Sequence, residues 1–108
     1  MVTFDVINAI RYHQSMIASF KDRDTEKLAN GIRVQRFASF ENVARRKLRQ
    51  LEIAGSLNDL KVPPGNRLEA LRDDRAGQYS IRINDQFRVC FTWTLAGAEN
   101  VEFVDYHK

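Results

Sequence analysis

The stretch NRLEALRDDRAGQYSIRINDQFRVCF, residues 66–91, decides the fold, together with its continuation NVEFVDYH, residues 100–107. Tyr79, Ile81 and Ile83 alternate with Ser80, Arg82 and Asn84, and Phe87, Val89, Phe91 and Trp93 alternate with Arg88, Cys90, Thr92 and Thr94. A period of two belongs to strands whose two faces differ. The spacing predicts strands over residues 67–72, 78–85 and 87–94, with DDRAG as a turn and Asp85-Gln86 as a tight connection. LAGAEN, residues 95–100, supplies the glycine and asparagine of a hairpin, and VEFVDYH closes the meander. Each strand has one oily face and one face bearing arginine.

Upstream, the period lengthens. Pro63-Pro64-Gly65-Asn66 denies backbone donors and biases the preceding residue to extended structure, so helix gives way to sheet there. Ser56 caps one more turn, SLNDLKV. Before it, Phe40, Val43, Ala44, Leu48 and Leu51 recur at three and four, which predicts a helix over residues 40–54 with Ser39 as its cap and Gly55 as its stop. Arg45, Arg46, Lys47 and Arg49 occupy much of its remaining surface. That face reads as solvated, since the helix dipole favours cations in the second half of a helix; an RNA-facing helix is the alternative. Asp22 or Asp24 caps a short helix in DTEKLANG, ended by Asn30-Gly31. Residues 17–20 suit an edge or partner strand of the later sheet. Residues 1–15 read as an extension before a single domain over residues 16–108, because Met16 offers a second plausible start. The expected architecture is α+β: a twisted antiparallel sheet, with one N-terminal strand, packed against two N-terminal helices, its arginine face partly open.

A chain of 108 residues is one domain's worth, with room for one core and one site. Its net charge of +3 leans towards an anionic partner without deciding the matter. The single cysteine, Cys90, excludes an intramolecular disulfide framework and a cysteine-rich zinc site, which suits a reducing compartment. No apolar run approaches the roughly 20 residues of a membrane span, and Asp5 and Asn8 interrupt what a signal peptide would need. The expected location is the cytoplasm, with no membrane partner.

Glycine-rich phosphate loops and nucleophile–histidine pairs are absent from the sequence. With only His13 and His107, a metal centre would rest mainly on carboxylates, so neither metal nor cofactor is expected. What remains is Arg72, Arg75, Arg82 and Arg88 in the meander and the terminal Asp105-Tyr106-His107-Lys108. Cutting RNA needs no protein nucleophile: the 2′-hydroxyl attacks the adjacent phosphate once one group takes its proton and another protonates the leaving 5′-oxygen. Guanidinium groups hold the phosphate and stabilise the charge that gathers on it. On spacing alone a second reading stands beside this one, in which Arg82 and Arg88 pair across strands with Glu69 or Glu102 and His107 is merely solvated.

The segment PPGNRLEALRDDRAGQYSIRINDQFRVCFTW followed by VEFVDYH resembles the HigB-type killer toxins of the RelE superfamily. Their strand-turn-strand pattern is matched by Leu68, Leu71, Asp74, Arg75, Gly77, Ser80, Ile81, Arg82, Asn84, Arg88 and Phe91, and their terminal motif by Asp105, Tyr106 and His107. The likeness runs from about Met16 to the end. Asp73 departs from the usual glycine and Phe87 from tryptophan. Glu69 stands where some members have a histidine that takes part in cleavage, and Asn84 where some have an active-site arginine. The resemblance implies a RelE-like fold and a metal-independent endoribonuclease that enters the ribosomal A site, cuts mRNA during translation and arrests growth. It implies Arg88 and Arg82 as clamps on the scissile phosphate, with Arg72, Arg75 and Asn84 supporting the RNA. Asp105 or His107, with Glu69, would move protons, and Tyr106 would stack on a base. The implied partner is a helix-turn-helix antitoxin of the HigA type, through which alone operator DNA would be met.

Two other classes compete. A pure binding module would grip the ribosome or an antitoxin without cutting. A DNA-binding regulator would need a recognition helix after a tight turn, and no helix suitably precedes residues 45–49.

Overall fold

The computed structural model describes residues 17–106, so the expected extension over residues 1–15, together with His13, His107 and Lys108, lies outside the described residues. Among the described residues, two α-helices and a four-stranded antiparallel sheet make an α+β layout. Among the described residues no helix is long and apolar enough to cross a membrane.

Helix α1, Arg23–Ala29, starts where the Asp22 carboxylate accepts the Thr25 amide at 2.7 Å. It stops at Gly31, whose φ of +89° lets its amide turn back to the Leu28 carbonyl. A 3₁₀ segment, Gln35–Phe40, follows, and helix α2, Glu41–Ile53, continues from it. The expected cap on α2 is not there: Ser39 lies exposed within the 3₁₀ segment, and Phe40 takes the N-cap position with no side-chain hydrogen bond. Aromatic packing sets this start. Phe37 meets Phe103 edge-on at 4.9 Å between ring centroids, and Phe40 lies 4.3 Å from Phe87. Both buried rings bind the entry of α2 to the sheet.

Ala44, Leu48 and Leu51 form the buried stripe of α2. Lys47 is buried with them, 6 % exposed, contrary to its expected place on the solvated face. After α2, Asp59 reaches back to the amides of Gly55 and Ser56, and a 3₁₀ turn, Leu57–Lys61, seats Leu60 in the core.

The strands are β1 (Glu69–Ala70), β2 (Gln78–Arg82), β3 (Phe87–Thr94) and β4 (Gly97–Asp105), in spatial order β1-β2-β3-β4. Strand β1 is far shorter than the expected 67–72, because Arg67 (φ +47°) and Asp73 (φ +56°) adopt left-handed backbone at either end. The second value gives the departure from glycine at Asp73 a physical meaning: aspartate tolerates that region better than most side chains. Strand β4 begins earlier than expected. The hairpin turn is only Leu95-Ala96, and Asn100, at φ +53°, sits in a bulge where the β3–β4 register shifts.

Residues 17–20 lie along β4 as expected of a partner segment, but parallel to it and as isolated bridges, Ile17 to Ala98 and Phe20 to Val101. Ser19 binds the bulge, its Oγ accepting the Asn100 amide at 2.9 Å. The helices cover the face carrying Ile81, Val89, Phe91, Val101 and Phe103, and that layer is the core. The opposite face carries the arginines.

Candidate active site

The register puts Arg82 directly opposite Arg88. Two cations facing each other across a strand pair repel, so the arrangement stands only with counter-charge nearby. Asp85 bonds the Arg82 guanidinium, and Glu69 Oε1 lies 3.7 Å from Arg88 Nη2. Around this pair opens a cleft of about 680 Å³ lined by Gly65, Arg67, Glu69, Arg82, Asn84, Asp85, Arg88 and Tyr106. Three arginines face two carboxylates there.

Arg88 is the most constrained of the three. Its Nε donates to Ser80 Oγ at 2.7 Å, and its Nη2 donates to the Arg67 carbonyl at 2.6 Å. Nη1 takes part in neither bond. The side chain is 13 % exposed and its guanidinium carbon lies 6.0 Å from the centre of the Tyr106 ring. Ser80 is fully buried, so the hydrogen bond to it ties the arginine head to the sheet.

Asn84 holds the β2–β3 turn, its Oδ1 accepting the amides of Gln86 at 2.8 Å and Phe87 at 2.7 Å. It lines the cleft while shaping the connection between the two arginine strands.

Tyr106 closes one side. Its hydroxyl meets Cys90 Sγ at 3.7 Å. Burial, and then the contact with Cys90, push that hydroxyl up to about 12. Burial likewise raises the Cys90 thiol. The fold therefore holds the Tyr106 proton more tightly than the unfolded chain, where tyrosine titrates near about 10. Stability from this group is complete below about pH 10 and is lost as pH rises towards about 12. Urea unfolding across that window checks the sign: stability should fall with pH in the wild type and fall less steeply in Tyr106→Phe. Equal slopes would show that the Tyr106 hydroxyl is not held against Cys90 as described.

The other expected residues lie elsewhere. Arg72 is exposed at the turn before Asp73 and is not a cleft-lining residue. Arg75 is engaged by Glu102 Oε2 at 3.2 Å and Gln78 Oε1 at 3.0 Å, and the Glu102 bond raises its pKa further. Asp105 sits opposite Phe87 at the end of β4, where strand alternation turns it to the other face from Tyr106. It accepts Gln86 Nε2 at 3.1 Å, and the Gln86 carbonyl accepts the Tyr106 amide at 2.6 Å. His107 is outside the described residues.

Asp85, Arg67 and Asn66 were not anticipated at the site. Arg67 enters the cleft because its left-handed backbone turns it there, and a sequence reading of PPGNR as loop followed by strand gives no hint of it. Asn66, fully buried, joins Lys47 and Gln50 of α2 behind the same wall.

A family model described as the RelE-like toxin of type II toxin-antitoxin system HigB matches residues 12–107. Among curated proteins, Toxin HigB-1 of Vibrio cholerae serotype O1 is 39% identical over 95 residues, covering 86% of this chain and 99% of its own. An uncharacterized protein of Haemophilus influenzae is 35% identical over 65 residues, covering 60% of this chain and 63% of its own. With the arginine-bearing sheet and the α+β layout, these matches establish that the chain belongs to the HigB family of RelE-like toxins, and so is the toxin half of a type II toxin-antitoxin pair with a cognate antitoxin as partner.

Proposed function

We propose that the cleft is the catalytic site of a metal-independent endoribonuclease that cuts mRNA on the ribosome. The observation that carries this is the opposed Arg82–Arg88 pair. Two arginines opposite one another on neighbouring strands of one face are suited to grip a phosphate together, and Glu69 and Asp85 hold their charge in balance until an anion arrives. Arg67 adds a third cation on the same wall.

In this reading the substrate's 2′-hydroxyl attacks the adjacent phosphorus. The bond to the 5′-oxygen breaks, leaving a 2′,3′-cyclic phosphate and a free 5′-hydroxyl. Arg88, fixed before the reaction begins, stabilises the charge on the phosphorane oxygens without reorganising. Glu69, an exposed carboxylate beside Arg88, takes the 2′-hydroxyl proton. His107, next in sequence to Tyr106, protonates the leaving oxygen. Asp105, which accepts from Gln86 Nε2, steadies the residue whose carbonyl holds the Tyr106 amide. Arg72 guides RNA towards the cleft, and Arg75 neutralises Glu102, whose charge would otherwise repel it. The antitoxin partner is a helix-turn-helix protein of the HigA type, and the substrate is mRNA in the ribosomal A site.

Tyr106 is assigned to stacking. Its hydroxyl stays protonated up to about 12 and faces Cys90, while its ring borders the cleft. Tyr106→Ala should weaken RNA binding by roughly tenfold or more, in line with the loss of one base stack. Tyr106→Phe should keep most of it. Equal losses in the two variants would reassign the role to the hydroxyl.

Primer extension on a defined mRNA, with translating ribosomes and without, tests the activity. Cuts confined to the ribosome-loaded sample support the proposal. No cuts in either sample, from folded protein that binds its antitoxin, would leave a module that binds RNA or antitoxin without cutting.

A further inference from the structure

Behind the cleft wall lies a polar network that the proposed chemistry does not use. Asn66 is fully buried, and every side-chain atom capable of hydrogen bonding is engaged. Lys47 Nζ donates to its Oδ1, while its Nδ2 donates to Gln50 Oε1 at 2.9 Å and to the Leu60 carbonyl at 3.1 Å. Two of these partners come from α2 and the third from the turn that follows it. The Asn66 amide also closes the 3₁₀ turn Pro64–Asn66 onto the Pro63 carbonyl at 2.9 Å. The next residue is Arg67, whose carbonyl receives Arg88 Nη2 and whose side chain lines the cleft.

We propose that Asn66 is the positioning residue of this cleft. Pinned to α2 by Lys47 and Gln50, it holds the Arg67 carbonyl where it fixes the Arg88 guanidinium. The path is short: one buried amide, one peptide unit, one hydrogen bond of 2.6 Å. A buried asparagine with all its partners is rigid, and a half-satisfied one is costly, so the turn has one favoured geometry. Lys47 belongs to the device as well as to the helix. Its burial lowers its pKa, and the charges of Arg46 and Arg82 lower it further, so a cation close to the cleft is kept there against a cost. The long helix thereby sets the aim of a side chain on the far side of the sheet from its apolar stripe.

The catalytic consequence rests on the ribonuclease reading, so the test pairs turnover with a readout that needs no RNA. The Nε–Hε cross-peak of Arg88, assigned by its disappearance in Arg88→Lys, reports the bond to Ser80 directly. In Asn66→Ala that proton should exchange with solvent roughly tenfold faster or more, since the guanidinium loses its second anchor. Turnover on ribosome-loaded mRNA should fall about 10²-fold with KM changed far less, as expected for a misplaced rather than a missing group. Antitoxin binding should persist. An Arg88 signal unchanged in folded Asn66→Ala overturns the proposal, as does turnover within about threefold of wild type. Should Asn66→Ala fail to fold, Lys47→Met decides. It removes the donor to Asn66 while sparing the fold the burial of a charge, and the same two changes are expected at smaller size; neither appearing overturns the proposal. If the wild type cuts no RNA, the ribonuclease reading falls, and the Arg88 signal alone decides whether Asn66 positions the cleft.

Discussion

Cells expressing Arg88→Ala without antitoxin are expected to keep growing, with cleavage of ribosome-loaded mRNA reduced by about 10²–10³-fold, the usual effect of deleting one fixed donor to transition-state charge. Antitoxin capture by the purified variant should be retained. The size follows from how the side chain is held. Arg88 is 13 % exposed, carries bonds to Ser80 Oγ and the Arg67 carbonyl, and faces Arg82 across the strand pair. Its charge is therefore in place before substrate binds. Truncation leaves the buried Ser80 hydroxyl without its donor, at about 1–3 kcal/mol, partly offset by relief of the Arg82–Arg88 repulsion. The protein should stay folded, so loss of arrest would report chemistry. Cleavage within about tenfold of wild type would remove Arg88 from the mechanism.

Phe37→Ala should do the opposite, removing stability without touching the cleft. Phe37 is 1 % exposed and packs against Phe40 and Phe103, with the Arg36 guanidinium over its ring at 4.3 Å. Large-to-small changes of a buried phenylalanine cost about 3–5 kcal/mol, a large part of the roughly 5–15 kcal/mol available to a domain. At about 4–8 °C per kcal/mol for a domain near this size, the midpoint should fall by more than about 12 °C. Thermal melting by circular dichroism reads this directly. Growth arrest and antitoxin binding should decline together, in contrast to Arg88→Ala. A fall of under about 5 °C would mean that the 3₁₀ segment does not anchor the core as described.

The two variants also mark how much was legible beforehand. Alternation over residues 78–94 specified which side chains share a face, because in a strand that assignment follows from the period alone. The register bears this out, with Ile81 opposite Val89, Ser80 opposite Cys90 and Arg82 opposite Arg88. The helical stripe of Ala44, Leu48 and Leu51 was equally readable. The start of α2 was not. Ser39 carries a strong local capping signal, yet two aromatic rings seeking the sheet moved the boundary by more than one capping hydrogen bond could resist. Similarly, Asn100 and Gly97 signal a loop locally, but their left-handed backbone serves a bulge and a strand start within β4.

Lys47 is the sharpest case. Its neighbours Arg46 and Arg49 are exposed, and in sequence the three are indistinguishable members of one basic run. Only the arrival of Asn66 from the far side of a proline-rich turn provides a buried acceptor for its charge.

By itself, then, the sequence determined the α+β class, the arginine-bearing face and the family, since periodicity and local motif need no knowledge of distant neighbours. The tertiary structure decided which arginines share a cleft, separating Arg67, Arg82 and Arg88 from Arg75, which Glu102 claims, and from Arg72 at its exposed turn. The reason is physical: a side chain's role depends on which partner reaches it first, and those partners come from residues far apart in the chain, brought together only when the core closes.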